Sequence, residues 1–157
     1  MKTVIGIDPD VSKSGCAIVI DGKVQGICTK EITVLLEDLK EEILNTHPND
    51  QLVIVIEAGW KNASNWHLGP FCSARRAAKL GEDVGRCHEV GRILAKWCEF
   101  HSAGMDHVKV LTPKPLRKKW RGKDGKITAK ELERKTGFSG RTNQEGRDAC
   151  LLAWTYR

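Results

Sequence analysis

The sequence predicts a single α/β domain, and three observations support that expectation. Apolar, β-branched runs at residues 4–7 and 16–20 are followed by an Asp21-Gly22 turn into a third run, so the chain opens as a three-strand meander. The stretch LVIVIE, residues 52–57, is apolar at every position but its last, the pattern of a central strand covered on both faces. Longer stretches between and after these runs place apolar residues at helical spacing. At 157 residues the chain suits one compact core over residues 1–157 and leaves little room for a second.

Each element has its own local reason. The first strand ends on Asp8, held by Pro9, although a carboxylate beside a buried strand costs several kcal/mol of hydration unless a cation meets it. The third strand is expected over about residues 23–32. Leu35, Leu36, Leu39, Ile43 and Leu44 then recur at helical spacing, with Pro48 just beyond, and predict a helix over 34–46. Strand 52–57 also ends on a carboxylate, Glu57. A loop carrying Trp60, Trp66 and Phe71 leads into a long helix over about 73–102, in which Gly81 and Gly85 are expected to permit close packing. A short strand at 108–111 is stopped by Pro113 and Pro115. Thr128-Ala-Lys-Glu131 is a capping box that opens a short helix ended by Gly137. The last helix is expected over 143–156. There is no internal repeat and no low-complexity linker.

Composition excludes several classes. With 40% hydrophobic and 29% charged residues, the chain is neither disordered nor fibrous. It contains no 18-residue apolar run and no signal-peptide pattern, so no membrane association and a cytoplasmic location are expected. The six cysteines lack a CxxC pair and are expected as reduced, buried thiols. Cys72, Cys87, His88, Cys98 and His101 match no zinc-site spacing. The net charge of +6 is unevenly spread: residues 109–141 hold twelve Lys or Arg against three acids, a local +9. Such a concentration suggests a polyanionic partner, most simply nucleic acid, with Lys114, Arg117, Lys118, Lys119, Arg121 and Lys126 as candidate contacts. A merely solvated face is the plainer alternative.

The acids sharpen this reading. In open α/β sheets functional groups gather beyond the carboxyl ends of parallel strands, where Asp8 and Glu57 both fall. Glu145 and Asp148 are three residues apart, which puts them on one face of the last helix. Four hard oxygen donors without histidine or thiolate suit Mg2+ or Mn2+. Singly, each has a plainer role. Asp8 could open a turn, Glu57 could end a strand in solvent, Glu145 could close a Thr142–Glu145 capping box, and Asp148 could pair with Arg147 or Arg141. Together, beside the basic segment, they point to a metal site.

Four stretches, in this order, resemble the RuvC-like Holliday junction resolvases of the ribonuclease H-like superfamily: GIDPDVSKSGCAIV at 6–19, VIVIE at 53–57, KLGEDVGR at 79–86 and EGRDACLLAW at 145–154. The resemblance implies a five-stranded mixed sheet with helices on both faces, and a homodimer that places two active sites on a branched, four-way DNA junction. It also implies roles: Asp8 matches the first-strand aspartate, Glu57 the fourth-strand glutamate and Asp148 the second acid of the last helix. Glu145 stands where the family usually has aspartate or histidine, which leaves Gln144 as an alternative group facing the metal. Two Mg2+ ions, replaceable by Mn2+, would serve each site in phosphodiester hydrolysis leaving 5′ phosphates. Two departures matter. Segment 58–78 is longer than in bacterial housekeeping members, as in a phage or divergent relative, and Asp10 replaces a common glycine and adds a fifth nearby carboxylate. Trp60, Trp66 or Phe71 could stack on an unpaired base or pack in the core. The alternatives are a nuclease acting on flaps or RNA–DNA hybrids, and a non-catalytic, structure-selective nucleic-acid-binding module. A sugar-kinase or actin-like ATPase needs two lobes, for which the length leaves no room.

Overall fold

The structure, a computed structural model, describes residues 1–62, 72–116 and 119–157. Strands β1 (Lys2–Asp8), β2 (Ser14–Ile20) and β3 (Lys23–Lys30) form the expected antiparallel meander. Its tight turn places Asp21 at φ 45° and Gly22 at φ 77°, a left-handed pair that an Asp-Gly dipeptide tolerates. Helix α1 (Ile32–Asn45) then crosses to β4 (Gln51–Ile56), which pairs parallel to β1, and helix α2 (Ala74–His101) crosses to β5 (Val108–Leu111), parallel to β4. The mixed five-stranded sheet runs β3-β2-β1-β4-β5. Helices α3 (Ala129–Thr136) and α4 (Gln144–Thr155) complete the chain.

Strand periodicity assigns the two faces. Ile5, Ile7, Ile54 and Ile56 point to α1 and α2 and pack with Leu35, Leu39, Leu94 and Cys98. Val4, Val53 and Val55 point the other way, against Leu152 and Ala153 of α4. Ala17, on the same side, joins Ile127, Leu132 and Ala149. β1 and β4 are therefore buried on both faces, which explains their unbroken apolar sequence.

Helix α4 sits on the sheet through glycine. A Cβ at Gly6 would lie 2.2 Å from the Ala149 carbonyl oxygen, and one at Gly15 would lie 2.2 Å from the Glu145 carbonyl oxygen. The first turn of α4 thus rests on the backbone of β2, closer than any side chain would allow.

Three expectations need correction. Among the described residues, Gly81 and Gly85 have nothing within 4 Å of a Cβ; the tight approach on α2 is at Gly91, where a Cβ would lie 2.5 Å from the Trp60 ring and 3.2 Å from Pro9. The cysteines are unpaired but not uniformly buried: Cys16, Cys98 and Cys150 are, Cys72 and Cys87 are half-buried, and Cys28 is exposed. Helix α4 is capped by Asn143 and not by Thr142, since the Asn143 side chain accepts the Gly146 N–H at 2.9 Å. The Thr128–Glu131 capping box is present with both halves made, and Gly137 ends α3 at φ 76°. No helix among the described residues is long and apolar enough to cross a membrane.

Candidate active site

Asp8 and Glu57 come together through the parallel ladder. Ile7 pairs with Ile56, and the Glu57 N–H donates to the Ile7 carbonyl at 2.9 Å, so the register carries one step further to Asp8 beside Glu57. By strand alternation both lie on the side of Val4, Gly6, Val53 and Val55, which is the α4 side. On β2, Asp8 faces Gly15, whose missing side chain admits the first turn of α4. That turn brings Glu145 and Asp148 to the same corner.

The electrostatics agree. The Asp8 carboxyl is held well above its ordinary value of 3.8, first by burial, then by repulsion from Glu57 and Asp148 and more weakly from Glu145, with Lys126 working in the opposite direction. All four acids therefore act on one pocket, and Lys126 enters it from the basic segment. Its Nζ lies 3.0 Å from Asp148 Oδ2, with side-chain exposures of 35% and 19%. Burial opposes the charge on Lys126, but Asp148, Asp8 and Glu145 outweigh that and hold the ammonium above its usual range.

Local structure explains how Lys126 gets there. Asp124 (φ 56°) and Gly125 (φ 72°) make a second Asp-Gly turn, closed by the Gly122 N–H on the Lys126 carbonyl at 3.0 Å. Ile127, 1% exposed, then anchors the chain beside α4. Lys126, expected among the DNA contacts, lies beside Asp148 at the edge of the acid pocket. The Asp124-Gly125 dipeptide was the available signal.

Asp148 is held by neighbours other than those expected. Gln144 Nε2 donates to Asp148 Oδ1 at 2.8 Å, while Gln144 Oε1 accepts from Arg147 Nη2 at 2.8 Å. Arg147 also donates to the carbonyls of Ile127 and Thr142, each at 3.0 Å, so it buttresses the turn and does not pair with Asp148. Gln144 is thus occupied in orienting Asp148. Glu145 lies in the field of Asp8, with no part in a capping box.

Asp10 stands apart from this set. Its Oδ1 accepts both the N–H and the hydroxyl of Ser12 at 2.8 Å. Although partial burial works against its charge, these bonds hold its carboxyl below the usual range. It shapes the β1–β2 loop. Trp60, half-buried in the 3-10 turn Gly59–Lys61, packs on Gly91 and Pro9, with the Arg92 guanidinium 5.8 Å from its ring. Lys114, Lys119 and Arg121 are exposed, and the Lys119 and Lys135 ammonium groups lie 5.9 and 5.8 Å from the Trp120 ring. Arg117, Lys118, Trp66 and Phe71 lie outside the described residues.

Among the described residues, no three histidine, cysteine or acidic side chains are gathered so as to hold a metal ion directly. The donor chemistry nevertheless fits a hard divalent cation. Asp8, Glu57, Glu145 and Asp148 offer only oxygen, and the other three repel a buried Asp8 carboxyl that, among the described residues, the Lys126 ammonium compensates in part.

Sheet order, strand directions and the placing of the helices define the ribonuclease H-like fold in the form found in RuvC, as the resemblance implied. A solved structure of Thermus thermophilus RuvC in complex with a Holliday junction substrate is similar over 99% of this chain and 92% of that one, with a TM-score of 0.56 and 14% sequence identity. A second Thermus thermophilus RuvC structure is similar over 98% of this chain and 92% of that one, with a TM-score of 0.48 and 12% identity. No protein-family model and no curated protein matches the sequence.

Proposed function

We propose that this chain is a metal-dependent endonuclease that resolves four-way DNA junctions by paired phosphodiester hydrolysis leaving 5′ phosphates. The observation that carries the reading is the convergence on Asp8 of Glu57, Asp148 and Glu145, from a neighbouring strand and the last helix, within a RuvC-like fold. The fold alone supports only the class, because the same scaffold can host other chemistries. The site supplies the rest of the argument.

Asp8, Glu57, Glu145 and Asp148 would hold Mg2+, or Mn2+ in its place, as two ions. When bound, the ions would activate a water for in-line attack and stabilise the leaving 3′ oxygen. The protein's own groups have separate tasks. Gln144 fixes the Asp148 carboxylate through its 2.8 Å bond, and Arg147 fixes Gln144. Lys126 offers the scissile phosphate a cation at the edge of the acid pocket, where a fixed charge is worth more than in water. Exposed Lys114, Lys119 and Arg121, with Arg117 and Lys118, would neutralise flanking phosphates. Trp60 would meet DNA with its outer edge, since Gly91 and Pro9 occupy its inner side. Paired cuts require two sites, which a homodimer would supply.

The test uses a mobile four-way junction, a flap, an RNA–DNA hybrid and a plain duplex, each with Mg2+ or with EDTA, alongside Asp8→Asn. Symmetric junction nicks that need Mg2+ and vanish in Asp8→Asn are expected. Cleavage of plain duplex as readily as junction would remove the junction assignment, and preferred cleavage of flap or hybrid would redirect it. Activity surviving in EDTA would remove the metal assignment. Binding of the junction without any cleavage would leave a structure-selective binding module.

A further inference from the structure

Away from the acid pocket, two thiols face each other across neighbouring strands. Cys16 on β2 is the direct antiparallel partner of Cys28 on β3, so both side chains project from the same face of the sheet. Directly opposed residues hold their Cβ atoms about 4.5–5.5 Å apart. A disulfide needs about 3.5–4.5 Å between Cβ atoms, with Cα atoms about 4.4–6.8 Å apart, so closure asks for a small inward movement of an edge strand. Burial differs sharply: Cys16 is 4% exposed, whereas Cys28 lies open on β3, the last strand on its side of the sheet. Cys16 also borders a cleft of about 110 Å³ that it shares with Lys30, Asp38 and Leu39, so its sulfur has free space beside it.

We propose that Cys16 and Cys28 form a dithiol site that reacts with small-molecule disulfides and closes into a β2–β3 disulfide. The proposal is independent of the nuclease reading. Cys28 is the attacking group because its thiol is drawn down to about 6, chiefly by the hydrogen bond from Cys16 and also by Lys30, against burial and Asp38. Cys16 is pushed well up by the same hydrogen bond, by burial and by the neighbouring sulfur, and stays a thiol until its partner has reacted. Cys98 and Cys150 are buried and pushed up to about 12, and Cys87 is raised by burial and by Asp10, so none of these three matches Cys28 as a nucleophile at neutral pH.

The chemistry balances in two exchanges. The Cys28 thiolate attacks one sulfur of the oxidant disulfide; an S–S bond forms, the oxidant's own S–S bond breaks, and one small thiolate leaves. The Cys16 sulfur then attacks the Cys28 side of this mixed disulfide, and its proton goes to the second departing thiol. Two protein thiols are oxidised and one small disulfide is reduced to two thiols.

Oxidised glutathione is the probe. In wild type, the intact mass should fall by two hydrogens, with one cross-linked peptide pair joining Cys16 to Cys28 and reversal by dithiothreitol. Cys16→Ala should stop at a stable glutathione adduct on Cys28, and Cys28→Ser should leave Cys16 unmodified. Because Cys16→Ala alters a buried position, wild type supplies a second readout: Cys28 alkylation by iodoacetamide should follow a titration near pH 6. An ordinary thiol titration at Cys28, a mixed disulfide in wild type that persists without closing, or a disulfide that excludes Cys28 would each overturn the proposal.

Discussion

Gly15→Ala probes the contact that positions the acids without touching any of them. The added Cβ would lie 2.2 Å from the Glu145 carbonyl oxygen, 2.4 Å from its carbonyl carbon and 3.0 Å from the Gly146 nitrogen. Ordinary contact begins near 3.4 Å, so 3.4 minus 2.2 leaves a shortfall of 1.2 Å against backbone, which has no rotamer by which to escape. The first turn of α4 must lift by about that distance. Overpacking of this kind typically costs about 1–3 kcal/mol, which a folded domain of ordinary stability survives. The effect on the pocket is larger in kind, because Glu145 and Asp148 ride on the displaced turn while Asp8 and Glu57 stay in their ladder. A misplacement of about 1 Å in a reacting constellation costs on the order of 100-fold in rate.

Single-turnover cleavage of a four-way junction in Mg2+ should therefore fall about 100-fold in Gly15→Ala, with native circular dichroism and near-normal junction affinity. Gly26→Ala is the control: it also replaces a strand glycine, on β3, but its Cβ would meet nothing within 4 Å. Its cleavage rate should stay within about twofold of wild type, since surface changes away from special contacts are usually near neutral. Wild-type cleavage by a folded Gly15→Ala protein would refute the claim that this glycine sets the relation between helix and strand acids.

Asp8→Asn should abolish cleavage yet stabilise the metal-free protein. The folded carboxyl binds its proton more tightly than an unfolded one at about 3.8, so wild type loses stability as pH rises from there through the raised value. In EDTA, the melting temperature of Asp8→Asn minus that of wild type should widen across that window, and Mg2+ should narrow it; a gap that ignores pH would contradict the burial argument. Lys126→Met removes the cation 3.0 Å from Asp148, so Mg2+ should bind more tightly in calorimetry while junction cleavage drops at least about tenfold. Unchanged Mg2+ affinity would mean that the ammonium does not compete for the pocket. Lys114→Ala, Lys119→Ala and Arg121→Ala should each reduce the slope of log affinity against log salt by about 0.9 if each meets one phosphate. An unaltered slope would remove that residue from the interface.

Local rules made most of the scaffold legible. The Asp21-Gly22 turn, the unbroken apolar run before Glu57 and the Thr128–Glu131 box each act through neighbours in sequence, and each appears where its chemistry placed it. Proximity across the fold was harder to read. The helical spacing of Gly81 and Gly85 says nothing of what lies opposite, and the close approach falls on Gly91 because Trp60 and Pro9 come from other elements. Two capping residues stand side by side before α4, and the backbone chose Asn143 over Thr142; this freed Glu145 from the box the sequence suggested. Cys28 resembled a strand-interior thiol, but its strand is the last one of the sheet, and only the sheet order exposes it.

Lys126 is the instructive case, because composition and position give opposite impressions of it. Within a segment of local charge +9 it looks like one more solvated cation, interchangeable with Lys123 three residues earlier. Of these two, only Lys126 precedes a fully buried residue, and burying Ile127 while the Asp-Gly turn closes leaves its side chain half-buried beside Asp148. The question raised by a strand that ends on a carboxylate thus has a partial answer within the chain. One ammonium lowers the cost at Asp8, yet repulsion from Glu57, Asp148 and Glu145 still keeps that carboxyl well above its ordinary value. Strand acids fixed by a ladder cannot retreat from one another, and helix acids seated on Gly15 cannot either. Among the described residues that repulsion is only partly offset, and this is the electrostatic support for the proposed divalent cation in this pocket.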